Sequence, residues 1–512
     1  MTVAPDCLIE AGTILSGVDG DTFTVLTDAT IHVVGGNIAE IARVADLRKR
    51  FPTLPRHGGP GFIAMPGMVN GHHHSGITPL MHGVPFAPLE FWLPRFRAQR
   101  RMPLRLDTLY SAIEMLESGT TTVHHIHGGV SGPSANWHDT ADGVLSAYGE
   151  IGMRAGFSFM IRDRNRLTYE DDATLLAALP ADAAQWLGTQ LAAEAVPVPE
   201  LMAFYADLSS RWGGADNVRL NLAPANLHWL TDESLGLIFQ TARNAGAQIH
   251  MHLLETERQA SFAHACTGRS AVAHLHHLGC LGPNVTLGHG NWVTRDDIDL
   301  LATHHCTICH NASSGLRLGS GIAPVNAMLE RGLRVALGID QSGINDDRDM
   351  LAEIKLIWAL HRETGLWNAR ASATQILRMA TEHGAMTAGF GDRIGRLAPG
   401  RAADIVLLDR EKVERPFVDP RTPLVDTVLM RAGKSAVDQV FVAGRQVVAN
   451  GRITTIDREA VMAEIASQMR RPLTDSEAEA AAMIDTIMPE LMHQHARLTD
   501  TARPYRYNAM AD

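Results

Sequence analysis

The first sixty residues alternate short apolar runs with glycine turns, and Thr22–Leu26, Ile31–Val34 and Ile38–Ile41 each read as a strand. From about residue 61 the pattern changes. Eight short β-branched or apolar runs alternate with segments of helical period, the repeat of a parallel βα barrel. The runs end near His74, His127, Ile161, Ala225, His252, His289, Asn311 and Asp340. After Gly395 short strands return at Ala403–Leu408, Thr427–Met430 and Val437–Val442. The segments GRAADIVLLDR and VFVAGRQVVANGR read as hairpins completing a sheet begun at the N-terminus, so one small domain is assembled from both ends. Residues after about 456 are rich in Ala, Glu and Met and read as helices.

Four of the barrel runs end in metal-binding residue types. In PGMVNGHHHSG, His72 and His74 are two apart and share a strand face, while His73 points away. The others are His252 with Glu255 in IHMHLLET, His289 in TLGHGNW and Asp340 in VALGIDQS. Any one of them reads equally well as a hydrogen-bonded core side chain. Together, at the strand ends where a (β/α)8 barrel carries its active site, they form a nitrogen-and-oxygen shell for zinc or ferrous iron.

PGMVNGHHH, HxxE, the later His and GxD resemble the amidohydrolase superfamily, in its cytosine-deaminase-like and triazine-hydrolase-like branch. HNASSGLRLGSGIAP (His310–Pro324) and DRIGRLAPGRAADIVLLD (Asp392–Asp409) are similar to that branch as well. The resemblance runs from about residue 10 to about residue 455 and implies a (β/α)8 barrel, a small β-sandwich and one divalent metal; with the pattern along the chain this gives a barrel over 61–395, a sandwich from 1–60 plus 396–455, and a helical segment over 456–512. Two-metal relatives use a carboxylated lysine after strand four. The four lysines here, Lys49, Lys355, Lys412 and Lys434, all lie away from VRLNLAPAN, which favours a mononuclear site held by His72, His74, His252 and Asp340.

A bound metal lowers the pKa of its water to about 7 and supplies hydroxide at neutral pH. Glu255, three residues beyond His252, is placed to move the water proton, and the resemblance supports that role; its spacing alone equally fits a surface carboxylate opening the next helix. His289 would orient the nucleophile or stabilise the oxyanion, and Asp340 would serve as ligand and proton acceptor. For the substrate, Phe86, Glu90 and Trp92 in the first βα loop are placed to stack on or hydrogen-bond a flat heterocycle; a helix start with Trp92 in the core fits equally. His125 falls where relatives carry a polar residue pointing into the barrel. Relatives carry a histidine in PH after strand four; here Ala225 follows Pro224, and Asn226, His228 or Trp229 can substitute. Ala312 and Gly315 depart from the usual HNPSSN.

Bulk properties fit an intracellular enzyme. A net charge of -11 over 512 residues gives solubility and argues against nucleic acid. No apolar stretch approaches the ~18 residues that span a bilayer, and the N-terminus lacks a signal-peptide pattern. Five cysteines (Cys7, Cys266, Cys280, Cys306 and Cys309) make no disulfide framework, so a reducing cytoplasm is the expected compartment. A homo-oligomer, dimer or tetramer, is expected as well. CxxCH at Cys306–His310 reads as core cysteines on strand seven rather than a haem motif. The function expected is deamination of an aminated purine, pyrimidine or triazine. The alternatives are hydrolysis of a cyclic amide, urea, N-alkyl or halide bond, and metal binding without catalysis.

Overall fold

The computed structural model describes residues 5–364, 366 and 370–496. Four strands open the chain: β1 (Cys7–Asp19), β2 (Thr22–Val34), β3 (Asn37–Arg43) and β4 (Arg56–Pro66). Barrel-type strands follow as β5 (Met68–His73), β6 (Thr120–His127), β7 (Arg154–Ile161), β8 (Val218–Leu220), β9 (Ala223–Pro224), β10 (Ile249–Leu253), β11 (Val285–His289), β12 (Thr307–His310) and β13 (Arg334–Leu337). The last strands are β14 (Ile405–Asp409), β15 (Val437–Val442), β16 (Arg445–Ala449) and β17 (Arg452–Ile453).

The strands from β5 to β13 pair in parallel as two runs, β5-β6-β7-β8 with β9 continuing beside β7, and β10-β11-β12-β13. A parallel bridge from Leu222 to Ile249 links the runs, and another from His73 to Asp340 links the last strand back to the first. Helices fill the intervals, as parallel crossovers require. All eight sequence-read strand ends fall within three residues of the observed ones. Apolar residues such as Val123, Phe157, Ile249, Leu287 and Val335 are buried in one large core.

The strands from the two ends of the chain meet in one mixed sheet, ordered β17-β16-β15-β14-β4-β1-β2-β3. β2 runs unbroken through both segments read as separate strands, because Thr27 and Ala29 continue its pairing with Thr13 and Ala11 of β1. Thr427–Met430 was expected as a strand and is instead inside a helix, Leu424–Arg431. Pro423 precedes its first turn, and Val425, Val428 and Leu429 are buried at the i, i+3, i+4 spacing of a helix face. Four residues are too few for periodicity to separate the two states.

A fully buried ion pair joins β7 to the small sheet. Arg154 Nε and Nη2 lie 2.8 and 3.0 Å from the two Asp404 carboxylate oxygens, and Asp404 also accepts the Ala443 N–H at 2.8 Å. The C-terminal segment forms helices Arg458–Arg470 and Asp475–Ala496, while 497–512 lie outside the described residues. The basic run Arg95–Asp107 is tied down. Arg97 pairs with Glu194 at 2.6 Å, the Arg101 N–H donates to Glu477, and the helix begins only at Leu104. Among the described residues, no helix is long and apolar enough to cross a membrane.

Candidate active site

The ends of β5, β10, β11 and β13 bring His72, His74, His252, His289 and Asp340 together. His74 Nε2 lies 3.1 Å from His72 Nε2 and 3.0 Å from His252 Nε2. Asp340 Oδ1 is 3.4 Å from His74 Nε2 and 3.8 Å from His72 Nε2. Donors about 2.0–2.1 Å from a tetrahedral ion would stand about 3.4 Å apart, so the spacing suits one ion. Glu255, His289 and Asp340 also offer atoms within 4.8 Å of one another.

The neighbouring bonds set which nitrogen faces the centre. His74 Nδ1 donates to the Ile126 carbonyl at 2.7 Å and His252 Nδ1 to the Ala225 carbonyl at 3.0 Å. Both rings therefore turn Nε2 lone pairs inward, and lone pairs this close repel unless a cation lies between them. Burial, followed by neighbouring histidine charges, holds His72 and His252 well below the usual imidazole range and keeps them neutral as ligands must be. Ser314 donates to Asp340 Oδ2 at 2.6 Å and fixes that carboxylate. The donor set and the inward lone pairs fit a divalent metal.

The backbone is strained where these groups emerge. Leu254, His289 and Asp340 take left-handed φ of 53°, 72° and 61°, a conformation uncommon outside glycine. The adjacent glycines have a steric reason. A Cβ on Gly338 would lie 2.5 Å from His72 Cβ, and one on Gly288 would lie 2.9 Å from His72 Cε1.

Glu255 Oε2 is 3.7 Å from His289 Nε2, and its buried Oε1 has no hydrogen-bond partner. Burial first, and then the Asp340 and Glu90 charges, push its carboxyl well above the usual range, so it can hold a proton. A cation in the nest would oppose that shift. Asn311 Nδ2 lies 3.4 Å from His289 Nδ1, leaving His289 Nε2–H as the inward donor. Burial lowers the His289 pKa to about 4.

Glu90 Oε1 accepts from the Thr256 hydroxyl at 2.7 Å and the Tyr169 hydroxyl at 3.0 Å, one residue from Glu255. His228 stands beside Tyr169 and Trp229 beside His228, and Glu90, His228 and Trp229 line a common cavity. Asn226 is buried, with its Oδ1 accepting the Leu227 N–H at 2.7 Å. Trp92 packs in an apolar cluster with Val84, Leu318 and Phe96, which is the core alternative. His125 does not point into the barrel: its Nδ1 is 2.9 Å from the Tyr148 hydroxyl in the helix layer. His124 faces inward instead, its ring 4.7 Å from that of His250, because odd positions on β6 pair with the outward His73 face.

Sequence reasoning also missed His250, whose Nε2 lies 2.8 Å from His72 Nδ1. With His72 offering Nε2 to an ion, its Nδ1–H donates to His250. The His250 proton then sits on Nδ1, which has no partner. The signal was available, since alternation along IHMHL places His250 on the face of His252.

A model described as the amidohydrolase family matches residues 63–447, three quarters of the chain. The chain belongs to the amidohydrolase family. It is a hydrolase acting on carbon–nitrogen bonds. It is 29% identical over 420 residues to the 5'-deoxyadenosine deaminase of Methanopyrus kandleri, covering 81% of this chain and 87% of that protein. It is 28% identical over 465 residues to the 5-methylthioadenosine/S-adenosylhomocysteine deaminase of Pelotomaculum thermopropionicum, covering 89% and 96%. Among solved structures, an adenosine deaminase from Xanthomonas campestris with bound zinc superposes with a TM-score of 0.73 at 25% identity, over 91% of this chain and 98% of that one. Atrazine chlorohydrolase from Arthrobacter aurescens has a TM-score of 0.78 at 24% identity, over 90% and 100%, and shares the fold.

Proposed function

We propose that this amidohydrolase is a zinc-dependent aminohydrolase that deaminates an aminated purine ring. The observation that carries the reading is the juxtaposition of Glu255, raised in pKa and with a free carboxyl oxygen, against the nest of His72, His74, His252 and Asp340. The adenosine-type deaminases among its relatives favour purines over triazines and cyclic amides. His72, His74, His252 and Asp340 would hold the metal. When bound, a divalent ion acidifies water to a pKa of about 7 and so supplies a nucleophile at neutral pH.

The chain's own groups move the protons. Glu255 takes one from water at its carboxylate and delivers it to the ring nitrogen beside the amino-bearing carbon. Its buried, desolvated position matches that exchange. The His289 Nε2–H, oriented by Asn311, donates to the oxygen as negative charge develops there. Asp340, steadied by Ser314, accepts the second water proton and passes it to the departing amino nitrogen. The carbon–oxygen bond forms, the carbon–nitrogen bond breaks, and the nitrogen leaves as ammonia.

The closed cycle of parallel pairings supports a (β/α)8 barrel over 61–395. In the small sheet, the Ile38 N–H donates to Arg401 O and the Ala403 N–H to Gly36 O. These contacts bring the edge strand β3 back towards β14 and support a sheet folded over as a sandwich.

The test is ammonia release by zinc-loaded protein across aminated purines, pyrimidines and triazines, with cyclic amides and ureas assayed for ring opening. Turnover of aminated purines is expected. Turnover of a cyclic amide or urea with no ammonia from any aminated ring would overturn the reading.

A further inference from the structure

The C-terminal helix Asp475–Ala496 lies against the segments that follow β5 and β7. Its Ile484, Ile487, Met488 and Leu491 pack on Leu175, Ala183, Leu187 and Leu191 of the helices that follow β7, with Phe91 and Ala98 of the first loop against the same cluster. Its first turn is pinned as well. Glu477 accepts the Arg101 N–H at 2.8 Å and is paired with Arg471. The far end of the helix delivers His495, only 1% exposed, between Phe91 and Tyr169, with ring centroids 5.9 and 5.8 Å away.

His495 lines the cavity that Glu90, Arg166, Tyr169, His228 and Gln259 enclose, a space of about 30 Å³. That volume admits about two water-sized groups. The cavity adjoins the proton carrier, since Gln259 Oε1 accepts the Glu255 backbone N–H at 2.8 Å and Glu90 holds Thr256. Its walls carry buried polar atoms without hydrogen-bond partners: His228 Nδ1, Gln259 Nε2, both ring nitrogens of His495, and Glu90 Oε2, which Arg258 Nη1 approaches to 3.7 Å. The Leu167 backbone lies beside His495 without reaching normal hydrogen-bond geometry. Buried polar atoms left unpaired are costly, so several facing one small cavity mark a place shaped for polar guest atoms. Acceptors (Glu90) and donors (Gln259) stand side by side there, and a hydroxyl serves both at once.

We propose that the C-terminal helix is the outer wall of the substrate site and that His495 is a specificity-determining residue, taking a hydroxyl of the substituent carried by the heterocycle. The proposal rests on the purine-deaminase reading, with the substituent taken as the sugar of the nucleosides for which the relatives are named. Tyr169 and His228 bound the cavity with flat faces, and Glu90, Gln259 and His495 pair with vicinal hydroxyls in place of water.

The test compares adenosine with 2',3'-dideoxyadenosine as substrates of the full-length zinc-loaded protein, its His495→Ala variant and its His495→Gln variant. One lost neutral hydrogen bond corresponds to about 3- to 10-fold in affinity. His495→Ala is expected to raise KM for adenosine by that factor, more than it lowers kcat, with KM for the dideoxy analogue moving less than twofold. His495→Gln, with one donor and one acceptor, recovers part of the loss. In parallel, hydrogen exchange of peptides from 485–496 is measured with and without inosine, and slowing on binding is expected. Equal effects of His495→Ala on both substrates, or none on either, overturn the proposal while the deaminase reading stands. So does turnover of free aminated purines without their nucleosides. If no aminated ring is turned over, the deaminase reading falls, and unchanged exchange with inosine overturns the proposal separately.

Discussion

Replacing His250 with leucine isolates the one metal-facing histidine whose outer nitrogen meets another imidazole instead of a carbonyl. His72 Nδ1 donates to His250 Nε2 across 2.8 Å, whereas His74 and His252 each donate to a backbone oxygen. Leucine leaves the His72 Nδ1–H without an acceptor in a fully buried position, an unsatisfied donor worth about 1–3 kcal/mol. In the metal-free protein the side chain has an escape. It can move its proton to Nε2, where His74 Nε2 at 3.1 Å accepts. That tautomer blocks the nitrogen a metal needs. Leucine also removes the unpartnered His250 Nδ1–H from the interior, so the metal-free variant should be as stable as the parent, or more so. Metal affinity should fall by about 10–100-fold, the usual effect of losing an outer hydrogen-bond partner. Competition against a fluorescent zinc chelator reads the affinity, and urea unfolding of the metal-free forms reads stability. Zinc affinity within twofold of the parent, in a folded variant, would refute the tautomer argument.

Glu255→Gln should retain zinc and fold while lowering kcat by about 10²–10⁴-fold, measured by ammonia release; most of the activity surviving would assign the proton to another group. Arg154→Met strands the buried Asp404 charge between β7 and the small sheet and should cost about 3–5 kcal/mol in urea unfolding, with much of it regained in Arg154→Met/Asp404→Leu; an additive double variant would contradict this. Burial pushes Glu353 up to about 7 from 4.5, against the opposing Ser313 hydrogen bonds. Because the folded pKa is the raised one, its contribution is complete below about pH 4.5 and is lost as pH rises through 7, up to about 3 kcal/mol. Glu353→Gln should flatten the stability profile between pH 5 and 8, and an unchanged slope there would exclude this group.

The strand ends were legible because apolar runs stopped at glycine-flanked His or Asp, where side-chain chemistry and backbone permissiveness coincide. Gly288 and Gly338 sit against His72 for steric reasons that a sequence records without explaining. The inward face of β5 could be read from alternation. That of β6 could not, because nothing in VHHIH says which histidines meet the helix layer, and Tyr148 claims His125. The helix Leu424–Arg431 was misread for want of length. Glu90, His228 and Trp229 were named singly, yet their common cavity also depends on Tyr169, Gln259 and His495. Those residues lie in the segment after β7, in the helix Glu257–Thr267 and in the C-terminal helix, and only tertiary packing brings them together.

The central claim, one metal serving one purine-deaminating site, is tested most directly by titrating chelated, metal-free protein with zinc while following ammonia release from adenosine. Activity should start near zero and rise linearly to a plateau at one zinc per chain. Full turnover before any zinc is added, or a plateau reached only at two, would contradict it.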